Sequence, residues 1–244
     1  MTYAPYRIVG ADRPGRVLVL CDHATNTVPP DLGTLGLSDA DMARHIAWDP
    51  GAAGTALALC AALGAPVVLS NFSRLVIDPN RGEDDPTQLM RIYDGSVIPS
   101  NRHAGPEEKA RRQAVYWRPY DDAVAALAAR HSDTALVSIH SFTPQLRGRP
   151  PRPWHVGILH GRDSRLSDPL LRLLQTEADL CVGRNAPYPG HLPGDTMDRH
   201  GLRHGRHNTL IELRSDLIAT EAAQAVWGQR LAPLLEEALE KADL

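Results

Sequence analysis

Six short apolar stretches mark this 244-residue chain, most of them continuous rather than alternating, and that pattern narrows the fold more than any other feature. They fall at 17–21 (VLVLC), 66–70 (PVVLS), 75–77 (LVI), 135–139 (ALVSI), 155–159 (HVGIL) and 208–213 (NTLIEL). A strand covered on both faces reads this way, whereas a half-exposed strand alternates. Between them lie longer segments with helical periodicity, at 39–47, 51–63, 107–130 (interrupted at Pro119), 167–178 and 218–241. Strand and helix in alternation predict an α/β fold. There is no internal repeat and no low-complexity linker, so the chain reads as a single domain over 1–244, long enough for one sizeable core.

Charge and composition exclude several functions. A formal net charge of −3 gives no electrostatic footprint for nucleic acid or an anionic membrane. No apolar run is long enough to span a bilayer, and "MTYAPYRIVGADRPGR" lacks the basic-then-apolar pattern of a secretory signal. Cys21, Cys60 and Cys181 sit in apolar surroundings without a CxxC pair, which reads as buried thiols in a reducing compartment. The expectation is a cytoplasmic protein whose partner is a small molecule, with its oligomeric state left open.

Familiar catalytic signatures are missing: no GxSxG, no HExxH, no phosphate-binding Walker loop and no GxGxxG. What stands out is polarity at strand ends, where α/β proteins gather their chemistry. "VLVLCDHATN" ends in His23, "ALVSIHSF" in His140, and "LVIDPNR" carries Asp78, Asn80 and Arg81. "TLIELRSD" places Glu212 and Arg214 on one face of a late strand. Two histidines ending different strands can converge on one metal, and imidazole suits zinc. A carboxylate beside such a site, not bound to the ion, can take a proton from water; Glu212 fits that role. Arg81 offers a planar fork for a substrate carboxylate and Asn80 further donors.

Each feature also has an ordinary structural reading. A histidine at a strand end is commonly just hydrogen-bonded there, and "DPNR" is a common turn. In "DPGA", Asp49 is a good N-cap and Pro50 a good first helical residue. "RHGLRHGRH" holds His200, His204 and His207, but its glycines argue against one helical face and for a polar loop. The long stretches 79–105 and 183–208 are rich in glycine, proline, histidine and arginine and read as functional loops. From the residues alone, the chain supports a metallohydrolase.

Taken in order, the pieces "CDHATNTVP", "HIAWDPGA", "SRLVIDPNR", "VSIHSF", "NAPYPG", "RHG" and "IELRSDL" resemble the N-formylglutamate amidohydrolase family over roughly 17–217. The resemblance implies a zinc-exopeptidase-like fold shared with the aspartoacylase group: three α/β/α layers around a mixed, mostly parallel sheet. It implies hydrolysis of the amide of a small acidic N-acyl amino acid, such as N-formylglutamate to formate and glutamate, with one Zn2+ per chain. By that likeness His23 and His140 match the histidine ligands, Asn80 and Arg81 the pair that grips the substrate carboxylate, and Glu212 the general base. One position departs from the wider exopeptidase pattern: three residues after the first histidine stands Asn26, not glutamate. The third ligand is then Asn26, Asp22 or Asp49. Arg74 and Arg214 are candidates to stabilise an oxyanion. Two other readings remain: a carboxypeptidase-like hydrolase of a short peptide or conjugate, and a metal-free binding homologue, which Asn26 keeps open.

Overall fold

The apolar runs do assemble into a sheet, and its edges come from segments whose sequence is less apolar. The computed structural model describes residues 3–243. Its strands are β1 (Tyr6–Val9), β2 (Val17–Cys21), β3 (Val67–Ser70), the short pair β4 (Ile92–Tyr93) and β5 (Ser96–Val97), β6 (Ala135–Phe142), β7 (Val156–Leu159), β8 (Val182–Arg184) and β9 (Asn208–Arg214). Seven of them form one sheet in the order β1-β3-β2-β6-β9-β7-β8, while β4 and β5 pair as a hairpin. The central four run parallel; β1 is antiparallel to β3, and β7 is antiparallel to β9. The sheet is mixed and mostly parallel, as expected.

The helices are α1 (Asp39–Met42), α2 (Ala52–Ala62), α3 (Pro99–Arg102), α4 (Pro106–Arg112), α5 (Arg118–Ala128), α6 (Ser167–Gln175), α7 (Thr196–His200) and α8 (Glu221–Glu240). Successive strand residues point to opposite faces, and this divides the core in two. Val19, Leu69, Val137 and Ile139 pack with Leu59 of α2, Leu170 of α6 and Leu235 of α8. Leu18, Leu20, Val68 and Leu136 pack on the other side with Tyr120, Val124 and Leu127 of α5. Helices therefore cover both faces, which is why the strands read as unbroken apolar runs. No helix among the described residues is long and apolar enough to cross a membrane.

Three expectations are corrected. Residues 75–77 are fully buried but form a turn, not a strand. Side chains take the place of a ladder there: Asn101 Nδ2 donates to the Leu75 carbonyl at 2.8 Å, and Arg112 Nη1 to that of Val76 at 2.9 Å. The helix expected over 39–47 is only α1, because the carbonyls that would continue it are taken by side chains: Met42 accepts from Asn26 Nδ2 and Ala43 from Trp48 Nε1. Segment 107–130 stays helical without a break at Pro119; one wider π turn at Gln113–Trp117 lies immediately ahead of the proline. Cys21 and Cys60 are buried as expected, while Cys181 is half-buried. The β4–β5 hairpin had a readable signal in "YDGS": Asp94 and Gly95 both take positive φ, 41° and 78°, as a tight hairpin turn requires.

Asn101 is the pin of the 75–77 turn, since its Nδ2 also donates to the Met90 carbonyl and its Oδ1 accepts from Arg112 Nη1. Asn101→Leu strands two carbonyls and a buried guanidinium, at an expected cost of about 3 kcal/mol. Urea denaturation measures it; a loss well below ~1 kcal/mol would contradict this role.

Candidate active site

Strand register builds the site. Leu20 of β2 pairs with Ser138 of β6, and His140 pairs with Glu212 of β9. Two residues past Leu20, Asp22 therefore falls in line with His140 and Glu212 at the carboxyl ends of three neighbouring parallel strands. All three are buried. His23 follows directly, and its carbonyl accepts from the Asp49 amide at 3.0 Å, which brings the 45–50 loop against the sheet.

Asp49 is not the N-cap of α2. That position belongs to Gly51 at φ 81°, where an added Cβ would lie 2.2 Å from the Ile218 carbonyl oxygen. The Asp49 carboxylate is thereby released to the site. Its Oδ2 lies 2.8 Å from His140 Nδ1 and 3.3 Å from His23 Nδ1, and accepts from the Ser141 amide at 3.2 Å. The two imidazoles meet edge to face, with ring centres 4.9 Å apart at 76°. Each has its far nitrogen against a second carboxylate: His23 Nε2 is 2.8 Å from Asp78 Oδ1, and His140 Nε2 is 3.2 Å from Asp22 Oδ2. Those carboxylates are anchored in turn. Tyr120 Oη and Thr196 Oγ1 donate to Asp22, while Arg74 Nη2 and the Asn80 amide donate to Asp78.

The charges are finely opposed. Burial would raise the Asp78 carboxyl, but Arg74 and then His23 outweigh it and hold it well below the usual carboxylate range. Burial would likewise raise Asp49, and His23 and His45 hold it well below that range. His140 is pushed the other way: against the effect of burial, Asp22 and Asp49 raise it to about 10. Burial lifts Glu212 to about 8 and drops His45 to about 4.

One ligand atom each from His23, Asp49 and His140 lies within 4.8 Å of the others. Asp49 Oδ1 is buried with no hydrogen-bond partner. Two imidazoles and a carboxylate, with each ring fixed by a carboxylate at its far nitrogen, form a donor set that fits a divalent cation such as zinc. Binding requires the His140 proton to leave, so affinity would rise with pH. A cation here would also favour ionised Glu212, opposing the effect of burial.

The trio opens into a cavity of about 100 Å³ that Glu212, Arg74, Asn80 and Arg81 also line. Glu212 Oε2 and Arg74 Nε are buried without partners. Asn80 Oδ1 accepts from the Thr196 amide at 3.0 Å, which fixes the amide and leaves Nδ2 as its available donor. Arg81 is held through Nε to Thr87 Oγ1 and through Nη1 to the Asn80 carbonyl. Three expected residues stand elsewhere. Asn26 is turned away, its Nδ2 donating to the Met42 carbonyl at 2.9 Å. Arg214 is bound to Asp216 beside Trp154. Asp22 backs His140 rather than joining the trio. His200 is buried against Asp121, outside the cavity. Sequence reasoning passed over His45, Tyr93 and Tyr188 as lining residues. Tyr93 belongs to the readable "YDGS" turn, whereas His45 and Tyr188 sit inside "HIAWDPGA" and "NAPYPG" with no local mark of a cavity wall.

The depressed carboxyls give a pH prediction. Burial would raise Asp121, but His200 and Arg199 outweigh it and lower it, as Arg74 does Asp78. An unfolded aspartate titrates near 3.9, so below that pH the unfolded chain binds more protons and acid favours it. Metal-free protein should lose stability progressively as pH falls below about 4, while the raised Glu212 and His140 make it lose stability as pH rises toward 8 and 10, so the maximum lies on the mildly acidic side. Urea midpoints at pH 6, 4 and 3 check this; a flat profile would contradict the ion pairing described.

The sequence pattern that defines N-formylglutamate amidohydrolase matches residues 15–219. A gene product of Agrobacterium tumefaciens of known crystal structure is similar to this chain at 37% identity and a TM-score of 0.92, over 98% of this chain and 96% of that one. The crystal structure of N-formylglutamate amidohydrolase from Ralstonia eutropha is similar in fold, with a TM-score of 0.61 at 22% identity over 96% of this chain and 99% of that one. No curated protein matches the sequence. With the family pattern spanning most of the chain, this protein belongs to the N-formylglutamate amidohydrolase family.

Proposed function

We propose that the chain is a cytoplasmic, zinc-dependent amidohydrolase that cleaves the amide of a small acidic N-acyl amino acid, with N-formylglutamate as the reference substrate. One observation carries the reading: the His23–Asp49–His140 trio and the unpartnered carboxylate of Glu212 share one cavity. Asp49, rather than Asn26, completes the trio, which favours this reading over the metal-free homologue that Asn26 suggested.

His23, Asp49 and His140 would hold one zinc ion, which when bound would supply Lewis-acid polarisation at the reacting carbonyl and water. Asn80 Nδ2 and the open side of the Arg81 guanidinium bind the substrate α-carboxylate, fixing the acidic half in the cavity. Glu212 accepts the proton of the attacking water at its carboxylate and delivers it to the leaving amine nitrogen. Arg74, itself bound to Asp78, adds positive charge where negative charge develops on the carbonyl oxygen. Asp22 and Asp78 keep both imidazoles oriented with Nδ1 toward the trio. Three unpaired cysteines, two of them buried, suit a reducing compartment.

The test is turnover of N-formyl-L-glutamate by zinc-loaded protein, with Glu212→Gln alongside. The variant should keep its zinc and lose roughly 10²-fold or more in kcat. A fully active Glu212→Gln, or no turnover by the loaded wild type, would overturn the assignment.

A further inference from the structure

The catalytic cavity continues into a second, larger space. The inner cavity has about 100 Å³; the adjoining outer cleft has about 560 Å³. His45, Tyr93 and Tyr188 line both, so one imidazole and two phenols form the rim between them. Pockets that enclose a drug-sized ligand run roughly 300–1,000 Å³. The inner cavity is far below that range and the outer cleft lies within it.

The two spaces differ in chemistry. Asn80 and Arg81, the groups suited to a carboxylate, line only the inner one. Past the rim, Ile46, Pro50 and Leu146 supply apolar surface. The Arg44 charge there is compensated within the fold by Asp94 at 2.9 Å and Asp41 at 3.3 Å, whereas Arg147, which also lines the cleft, is exposed and makes no ion pair among the described residues. The rim is also braced. Arg44 ties the β4–β5 hairpin, and so Tyr93, to α1. Arg152 donates to Tyr188 Oη at 3.1 Å and sits 5.0 Å from its ring centre. Walls held in place this way cost a ligand little to order.

A chain of contacts gives the order: Asn80 bonds to Asp78, Asp78 to His23, His23 to Asp49, and Asp49 lies 3.6 Å from His45 on the rim, so acid-binding groups, reacting centre and outer cleft follow one another. An N-acyl amino acid laid along it has its acidic amine half inside, its amide at the trio and its acyl half at and past the rim. We propose that the outer cleft is an acyl-group subsite, and that the preferred substrate carries a multi-carbon, largely apolar N-acyl group rather than formyl. This rests on the amidohydrolase reading above. The chemistry is ordinary hydrolysis: the amide C–N bond breaks, water's oxygen bonds to the acyl carbon, and its proton ends on nitrogen, giving a carboxylic acid and the free amino acid with no redox change.

The experiment compares kcat/KM of zinc-loaded protein for N-formyl-, N-acetyl-, N-butyryl- and N-hexanoyl-L-glutamate. Each methylene that reaches the cleft should raise it roughly fourfold, placing the hexanoyl compound well over tenfold above the formyl. Leu146→Asp, its folding checked by thermal melting, should collapse the hexanoyl-to-formyl ratio toward one. The same ratio of dissociation constants, measured calorimetrically on Glu212→Gln, reads the cleft without turnover and should move in parallel. If formyl is cut best and rates fall with chain length, the acyl subsite is overturned and the deformylase reading stands. A long-chain preference that Leu146→Asp leaves intact also overturns it. If no member is cleaved, both fall.

Discussion

The site depends on one carboxylate oxygen, Asp49 Oδ2, standing between two imidazoles. Gathering three aspartates and two histidines in a buried space is costly unless every charge finds a partner. Here each does: Asp78 against Arg74, Asp22 under the hydroxyls of Tyr120 and Thr196, and Asp49 against both rings and the Ser141 amide. Among the described residues six buried side-chain atoms lack partners, and four of them, Asp49 Oδ1, Glu212 Oε2, Arg74 Nε and His45 Nδ1, belong to residues that line the cavity. In a folded protein such orphans are uncommon, and together they point to a ligand.

The fold exists to hold this arrangement. Parallel strands bring Asp22, His140 and Glu212 into one row, and the alternation that sends Leu18 and Leu20 into the α5 layer also sets which face that row occupies. Gly157, opposite Glu212 on β7, shows how tight the surroundings are. A Cβ there would lie 2.0 Å from the Ala186 carbonyl oxygen, displacing the segment that leads to Tyr188. Core, register and cavity are thus one construction.

Much of this was legible in the sequence. Continuous apolar runs at 17–21, 135–139 and 208–213 mark central strands because both faces are covered, and the polar residues ending them mark the site. The edges were harder: β1 and β8 are short and incompletely buried, so they carry no unbroken apolar signal. Residues 75–77 misled because burial alone mimics a strand, and the side chains that replace its ladder, Asn101 and Arg112, come from distant sequence. Asp49 was ambiguous for a similar reason. Its local context suits an N-cap, and only the left-handed Gly51 and the contact with Ile218 show that the helix starts later. Asn26 drew attention by its spacing from His23, but spacing does not fix direction, and its amide turns to Met42.

The central claim is that His23, Asp49 and His140 form a metal site. Its most direct test is a crystal grown with zinc and measured on both sides of the zinc absorption edge. The account predicts one anomalous peak per chain, within bonding distance of His23 Nδ1, His140 Nδ1 and the Asp49 carboxylate, with Glu212 outside the coordination. A peak elsewhere, such as among His200, His204 and His207, or none at saturating zinc, would contradict it.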